Sequence, residues 1–170
     1  VLAPALIGGG LMPLAVHLFI LYWGMLSFIT PPVALGAFSA ASIAQSSPIA
    51  TGFEAMRLGV AIYLVPFLFV LNPSLIGSGT LDVMAKEVLR TGFAIALVAY
   101  ASQRVLPIMG VISWPSAVAV FSLGLLIMMP DLMVGWLGLE PSQIWAIAGS
   151  LIAGVLAVEW AMRQAVSRAR

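Results

Sequence analysis

The run Phe28-Ile29-Thr30-Pro31-Pro32-Val33-Ala34-Leu35 lies in the middle of an otherwise apolar stretch that covers residues 14–44. A bilayer core of about 30 Å is crossed by roughly 20 residues of helix, so this stretch is too long for one simple span. A proline removes a backbone donor and clashes with the carbonyl one turn earlier, at about 3 kcal/mol inside a helix. Pro31 and Pro32 stand side by side. The sequence therefore predicts two half-helices meeting at a break, with carbonyls around Phe28, Ile29 and Thr30 released from helical bonding. In lipid such carbonyls need a polar partner. A bound cation is one candidate, with the hydroxyls of Ser27 and Thr30 beside it, because discontinuous helices at mid-membrane recur as ion and substrate sites. A proline kink that neighbouring helices re-satisfy without any ligand is the other.

The rest of the composition agrees with an apolar solvent. Hydrophobic residues make up 62% of the chain and charged residues 8%, with a mean hydropathy of +1.15, whereas soluble domains carry about 25% charged residues. Seven basic and six acidic side chains cannot coat a water-soluble exterior of this length. The formal net charge of +1 and the lack of a basic face argue against nucleic acid as a partner. Cysteine is absent, which removes disulfides, thiolate metal sites and cysteine nucleophiles together. The expected fold is all-α: a polytopic integral membrane protein with a discontinuous, Pro-Pro-broken transmembrane helix and no enzymatic activity.

Hydrophobic length marks four further stretches. One covers residues 57–71, extended by 53–56, with Glu54 and Arg57 at its mouth and Asn72-Pro73 closing it, since proline disfavours helix in the residue before it. Another, 88–105, follows the amphipathic segment 82–87, in which Asp82 and Lys86 stand at i, i+4. The last two, 111–129 and 144–162, are flanked by Trp114, Trp136, Trp145 and Trp160 in the manner of interfacial belts. Arg163, Arg168 and Arg170 place the carboxy terminus in the cytoplasm under the positive-inside rule. The loop 130–143, with Asp131 and Glu140, then faces outward with Asn72. Arg104 and the 45–51 connection beside Arg57 face inward, and Lys86 and Arg90 are exceptions. The chain opens Val1-Leu2-Ala3-Pro4, without Met or a basic leader, and reads as a carboxy-terminal fragment of a longer protein.

Other chemistry-bearing residues are few. His17, the single histidine, offers a contact to a substrate carboxylate or a structural hydrogen bond. Zinc would require partners that the sequence does not supply. Glu159 and Arg163 stand at i, i+4 as an interfacial ion pair. Gly149, Ala153 and Ala157 form a small-xxx-small stripe that permits close helix contact. Gly8-Gly9-Gly10 lacks the strand and the Lys-Ser/Thr of a phosphate loop and suits a flexible hairpin limb. Ser46-Ser47-Pro48 reads as turn and capping chemistry.

The run from Phe28 to Leu35 resembles the TPPV segment of the large membrane subunit of TRAP transporters. Ala3-Pro4-Ala5-Leu6, Pro13-Leu14-Ala15-Val16-His17-Leu18-Phe19 and Phe67-Leu68-Phe69-Val70-Leu71-Asn72-Pro73 resemble the fused-permease branch that works with TAXI-type binding proteins. The similarity covers residues 1–76. It implies an elevator-type carrier, in which a transport domain with two re-entrant hairpins moves an anionic organic solute across a static scaffold in the inner membrane. Na⁺ drives it, as the coupling ion and in place of any cofactor, and a periplasmic solute-binding protein feeds it; the remainder of the permease chain and the bilayer are its other partners. On this resemblance residues 1–13 are the last limb of a hairpin, and residues 14–44 are the broken helix. Ser27, Phe28, Ile29, Thr30, Pro31, Pro32 and Val33 then surround the ion and substrate site, and residues 56–71 pack beside it. Ala34 stands where family members more often carry Gly. Residues 1–76 form the transport-domain part and 77–170 a carboxy-terminal transmembrane extension, to which the resemblance assigns no function.

Overall fold

A computed structural model describes residues 2–107, 110–129, 135, 138 and 141–168. It divides into two compact units, Val1–Val88 and Leu89–Arg170, each described by itself below. Expectations resting on Asp131, Trp136, Glu140, Arg170, the greater part of the 130–143 loop, and the side chains of Trp145, Arg163 and Arg168 lie outside the described residues.

The first unit begins with a short helix, α1 (Leu2–Gly8). Its end is built by the three glycines: Gly10 takes φ 94°, Leu11 N–H donates to the Leu6 carbonyl and Gly10 N–H to that of Ile7. This pair of bonds is a Schellman cap with glycine in the left-handed position, where a side chain would be strained. The glycines thus make a defined turn, in place of the flexible limb that the sequence suggests. Helix α2 (Pro13–Leu26) starts with proline in its first turn, where the missing N–H costs nothing. Helix α3 (Leu35–Ala44) follows after residues 27–34. A turn with Gln45 at φ 51° leads into α4 (Pro48–Leu58). There Ser46 and Thr51 share a hydroxyl hydrogen bond of 2.9 Å, which is turn chemistry.

Helix α5 (Val60–Leu71) corrects one expectation. Residues 53–71 are not a continuous helix, because α4 and α5 meet at Gly59 with a 48° bend. Pro66 inside α5 cannot donate to the Ile62 carbonyl and crowds it, and Gly59, less than two turns before it, is the soft point at which the axis yields. Among the described residues no single helix is long and apolar enough to cross a membrane, whereas α4 and α5 together meet that length and composition. Asn72 then ends α5, its side-chain oxygen accepting the Ser74 amide, and a 3-10 turn (Pro73–Ile76) follows. Asn72 also donates to the Glu87 carboxylate. Within this unit α2 packs on α5, α3 on α4, and α1 on α2.

The unit boundary falls within α6 (Leu81–Gln103). The amphipathic segment and the apolar stretch expected after it are one helix. At its exposed start, ahead of the apolar stretch, the Thr80 hydroxyl and then the first amides hold the Asp82 carboxyl below its ordinary value. Beyond α6, Arg104 takes φ 56°, and Val105 and Val111, the facing ends of two stretches expected to be helical, pair in a small antiparallel ladder, β1 (Val105–Leu106) with β2 (Gly110–Val111). Pro107 cannot carry a helix onward, and Arg104 locks the exit by donating from its guanidinium to the Ile112 carbonyl, 3.2 Å away. Helix α7 (Trp114–Met128) is capped by the Ser113 hydroxyl, which accepts from the Ser116 amide. Helix α8 (Pro141–Arg168) packs on α7 around Ala101, Val120 and Val155. Gly124 of α7 lies where a side chain would meet Val98 and the Ala94 carbonyl of α6.

Two sequence readings resolve here. Gly149, Ala153 and Ala157 are exposed, whereas among the described residues of α8 Ala148, Val155 and Glu159 are buried. Glu159 is only 4% exposed. Its carboxylate accepts the Ser113 amide at 2.7 Å, so it caps α7, a role that its spacing from Arg163 did not suggest. Trp114 and Trp160 are both exposed.

Candidate functional site

Helix α2 does not simply stop at Leu26. The amides of Ser27, Phe28 and Ile29 donate to the carbonyls three residues earlier, those of Gly24, Met25 and Leu26, so the end tightens into a 3-10 turn. Thr30 precedes a proline and is pushed out of helical conformation. Pro31 and Pro32, joined by a cis peptide bond, carry the chain across the gap. Ala34 then turns left-handed, at φ 33° and ψ 40°, and opens α3 without a side-chain cap.

A main-chain group supplies the cap instead. The Phe28 carbonyl accepts from both Gly36 and Ala37 amides, at 3.0 and 3.3 Å, so the last turn of one half-helix closes the orphan donors of the next. Gly36 makes room for it, since a Cβ there would lie 3.2 Å from that oxygen. The Thr30 carbonyl accepts the Ala34 amide at 3.0 Å. Two of the carbonyls expected to be bare are therefore engaged by the chain itself. The two α3 amides bonded to Phe28 are likewise not open to an anion.

The side chains divide into two groups. Ser27 is exposed and donates back to the Gly24 carbonyl at 2.6 Å. Phe28, Pro32 and Val33 are exposed as well, and none of these four converges on Thr30. Thr30 is half-buried, and its hydroxyl donates to the Leu26 carbonyl at 2.6 Å while lying 2.6 Å from the hydroxyl of Tyr63. Pro31 and Ile29 face the second limb: Pro31 abuts Gly52, and Ile29 abuts Gly59. His17 is exposed, forms no hydrogen bond among the described residues, and lies nine residues before Leu26, about 13 Å along the helix at 1.5 Å per residue. The structure does not bring it to the break.

Tyr63 is the residue that sequence reasoning missed. Its signal was present, because a phenol inside the apolar run 60–71 requires a partner for its O–H when it leaves water. Its ring is set by an aromatic ladder between α2 and α5. Trp23 meets Tyr63 edge-on, with centroids 6.3 Å apart, and meets Phe67 at 5.9 Å; Phe19 meets Phe67 at 5.2 Å. The arrangement places two hydroxyls and the carbonyl end of α2, where the helix dipole is negative, beside a gap between two interrupted helices.

Residues 1–79 match the family model described as the tripartite ATP-independent periplasmic transporter, DctM component. That stretch, somewhat under half of the chain, is similar to this family. No curated protein and no solved structure matches the chain. The matched DctM segment contains α1 to α5 and the whole break, and ends in the loop before α6. The family is one of membrane transport components, not of enzymes, and its large subunit works with a solute-binding protein and a small subunit.

Proposed function

We propose that the chain is part of the membrane permease of a sodium-coupled, binding-protein-dependent secondary transporter that imports anionic organic solutes. The observation carrying this reading is that the DctM match spans a helix broken at Thr30, with its hydroxyl at the crossing of two interrupted helices. On this reading Na⁺ docks against Thr30, and the chain crosses the inner membrane several times with its carboxy terminus in the cytoplasm. The periplasmic binding protein delivers solute, the rest of the permease completes the carrier, and residues 77–170 form a separate transmembrane extension. Ser27, Phe28, Pro32 and Val33 line the outer side of the break, where solute and ion exchange with water. His17 serves solute entry at most, at its distance from Thr30.

A second reading, a non-transporting membrane scaffold, draws on the Phe28 and Thr30 carbonyls being satisfied within the chain. The two separate by experiment. Na⁺ added to the purified full-length protein is expected to raise its unfolding temperature, and Thr30→Val to abolish the rise. In proteoliposomes Pro31→Ala with Pro32→Ala is expected to abolish Na⁺-driven uptake by restoring helix across the gap. Sodium-independent stability together with undiminished uptake by the double variant refutes the transport mechanism.

A further inference from the structure

We propose that Tyr63 is a component of the cation site, supplying an oxygen from α5 and fixing the hydroxyl of Thr30; this rests on the sodium-coupled reading above. The argument is an inventory of hydrogens. A threonine hydroxyl has one hydrogen and two lone pairs. Thr30 commits its hydrogen to the Leu26 carbonyl, at 2.6 Å. The 2.6 Å contact to Tyr63 must then be made by the phenol donating to Thr30. Both hydrogens are thereby directed into the protein. What remains on the two oxygens is lone pairs alone, one on Thr30 and two on Tyr63, which is the polarity that a hard cation with oxygen ligands seeks.

Geometry holds this pair in place from both sides. The Tyr63 ring is lodged edge-on to Trp23, with centroids 6.3 Å apart and planes at 76°, and Trp23 is in turn held by Phe67 and Phe19. Thr30 is held by its own backbone, whose carbonyl receives the Ala34 amide. Tyr63 comes from the helix immediately after the bend at Gly59, so a ligand at this point ties the two interrupted limbs together. A side chain that merely filled space here would need the ring and not the hydroxyl.

The test separates those roles. In the full-length permease, reconstituted with its binding protein, Tyr63→Phe keeps the ring and removes only the oxygen. The sodium concentration for half-maximal uptake is expected to rise roughly tenfold or more, the effect of losing one polar contact to a charge. Thr30→Ser, which retains the hydroxyl, is expected to keep most of the sodium affinity. A sodium dependence of Tyr63→Phe equal to that of the parent overturns the proposal while leaving the coupled transporter intact, whereas a parent without sodium dependence overturns the reading beneath it. Should Tyr63→Phe fail to fold, 3-fluorotyrosine placed at position 63 keeps the hydroxyl and the fold. Its ¹⁹F resonance is expected to move with Na⁺ and not with K⁺; a resonance indifferent to Na⁺ overturns the proposal equally.

Discussion

Gly52 offers the sharpest test of how the two interrupted limbs fit. It is buried in α4, and a Cβ added there would lie 2.7 Å from Pro31 Cγ, 3.3 Å from Pro31 Cδ and 3.6 Å from Phe38 Cε1. The first distance is far inside van der Waals contact, and the atom it meets belongs to a rigid ring whose neighbours are pinned by the Thr30–Ala34 and Phe28–Gly36 hydrogen bonds. Gly52→Ala therefore has to push α4 off the break. Against a rigid ring, overpacking costs about 2–3 kcal/mol, the upper part of its usual range, and alanine returns about 1 kcal/mol of helix propensity, which leaves a loss of about 1–2 kcal/mol. Gly24→Ala in α2 is the control, because a Cβ there meets nothing within 4 Å and only the propensity gain applies. Chemical unfolding of the full-length protein in detergent, followed by tryptophan fluorescence, measures both. Gly52→Ala is expected to unfold at lower denaturant than the parent and Gly24→Ala at higher. A Gly52→Ala protein as stable as Gly24→Ala would mean that Pro31 does not sit on α4, and the packing of the site would be refuted.

Two further outcomes follow from single residues. Ala34 is fully buried and left-handed, so Ala34→Gly exchanges the relief of about 1–2 kcal/mol of backbone strain against a lost methyl and a freer unfolded chain, and stability is expected to change by less than about 1 kcal/mol. Ala34→Val, which adds a β-branch to that backbone, is expected to lose more than about 2 kcal/mol by the same assay. Glu159→Ala removes the acceptor of the Ser113 amide and is expected to cost about 1–3 kcal/mol, with faster hydrogen exchange at Ser113, whereas Glu159→Gln keeps a side-chain oxygen there and is expected to lose less.

What could be read from residues alone follows the range of the forces involved. That helix ends before Pro31 and Pro32, and that α5 ends at Asn72-Pro73, are local steric matters of the kind that residues alone express. The bend at Gly59 is not of that kind, since a glycine less than two turns before a proline marks a soft point without fixing an angle, and packing of α4 on α3 and of α5 on α2 sets it. The fate of the released carbonyls was misjudged for a related reason. Counting donors lost to proline says how many oxygens are orphaned, but the Phe28 carbonyl finds its donors eight and nine residues onward, at Gly36 and Ala37. The helical spacing of Glu159 and Arg163 is visible in sequence, whereas the contact of Glu159 with Ser113, 46 residues distant, depends on how α7 and α8 dock.

The stripe that α4 and α5 turn toward the break explains why one interrupted helix should sit beside another. Gly52, Gly59 and Tyr63 are separated by seven and four residues, the spacing of one helical face, and they meet Pro31, Ile29 and Thr30 in turn. A straight neighbour with ordinary side chains would collide with the proline ring at the first position and with the Ile29 side chain at the second. Two glycines remove those collisions, and the bend at the second lets α5 leave along α2 while α4 stays on α3. Only then does the long phenol at the third position reach the one hydroxyl in the gap that is not turned toward the surface. The polar contact at Thr30 is thus the consequence of two steric accommodations, and altering either glycine is expected to disturb it without touching an oxygen.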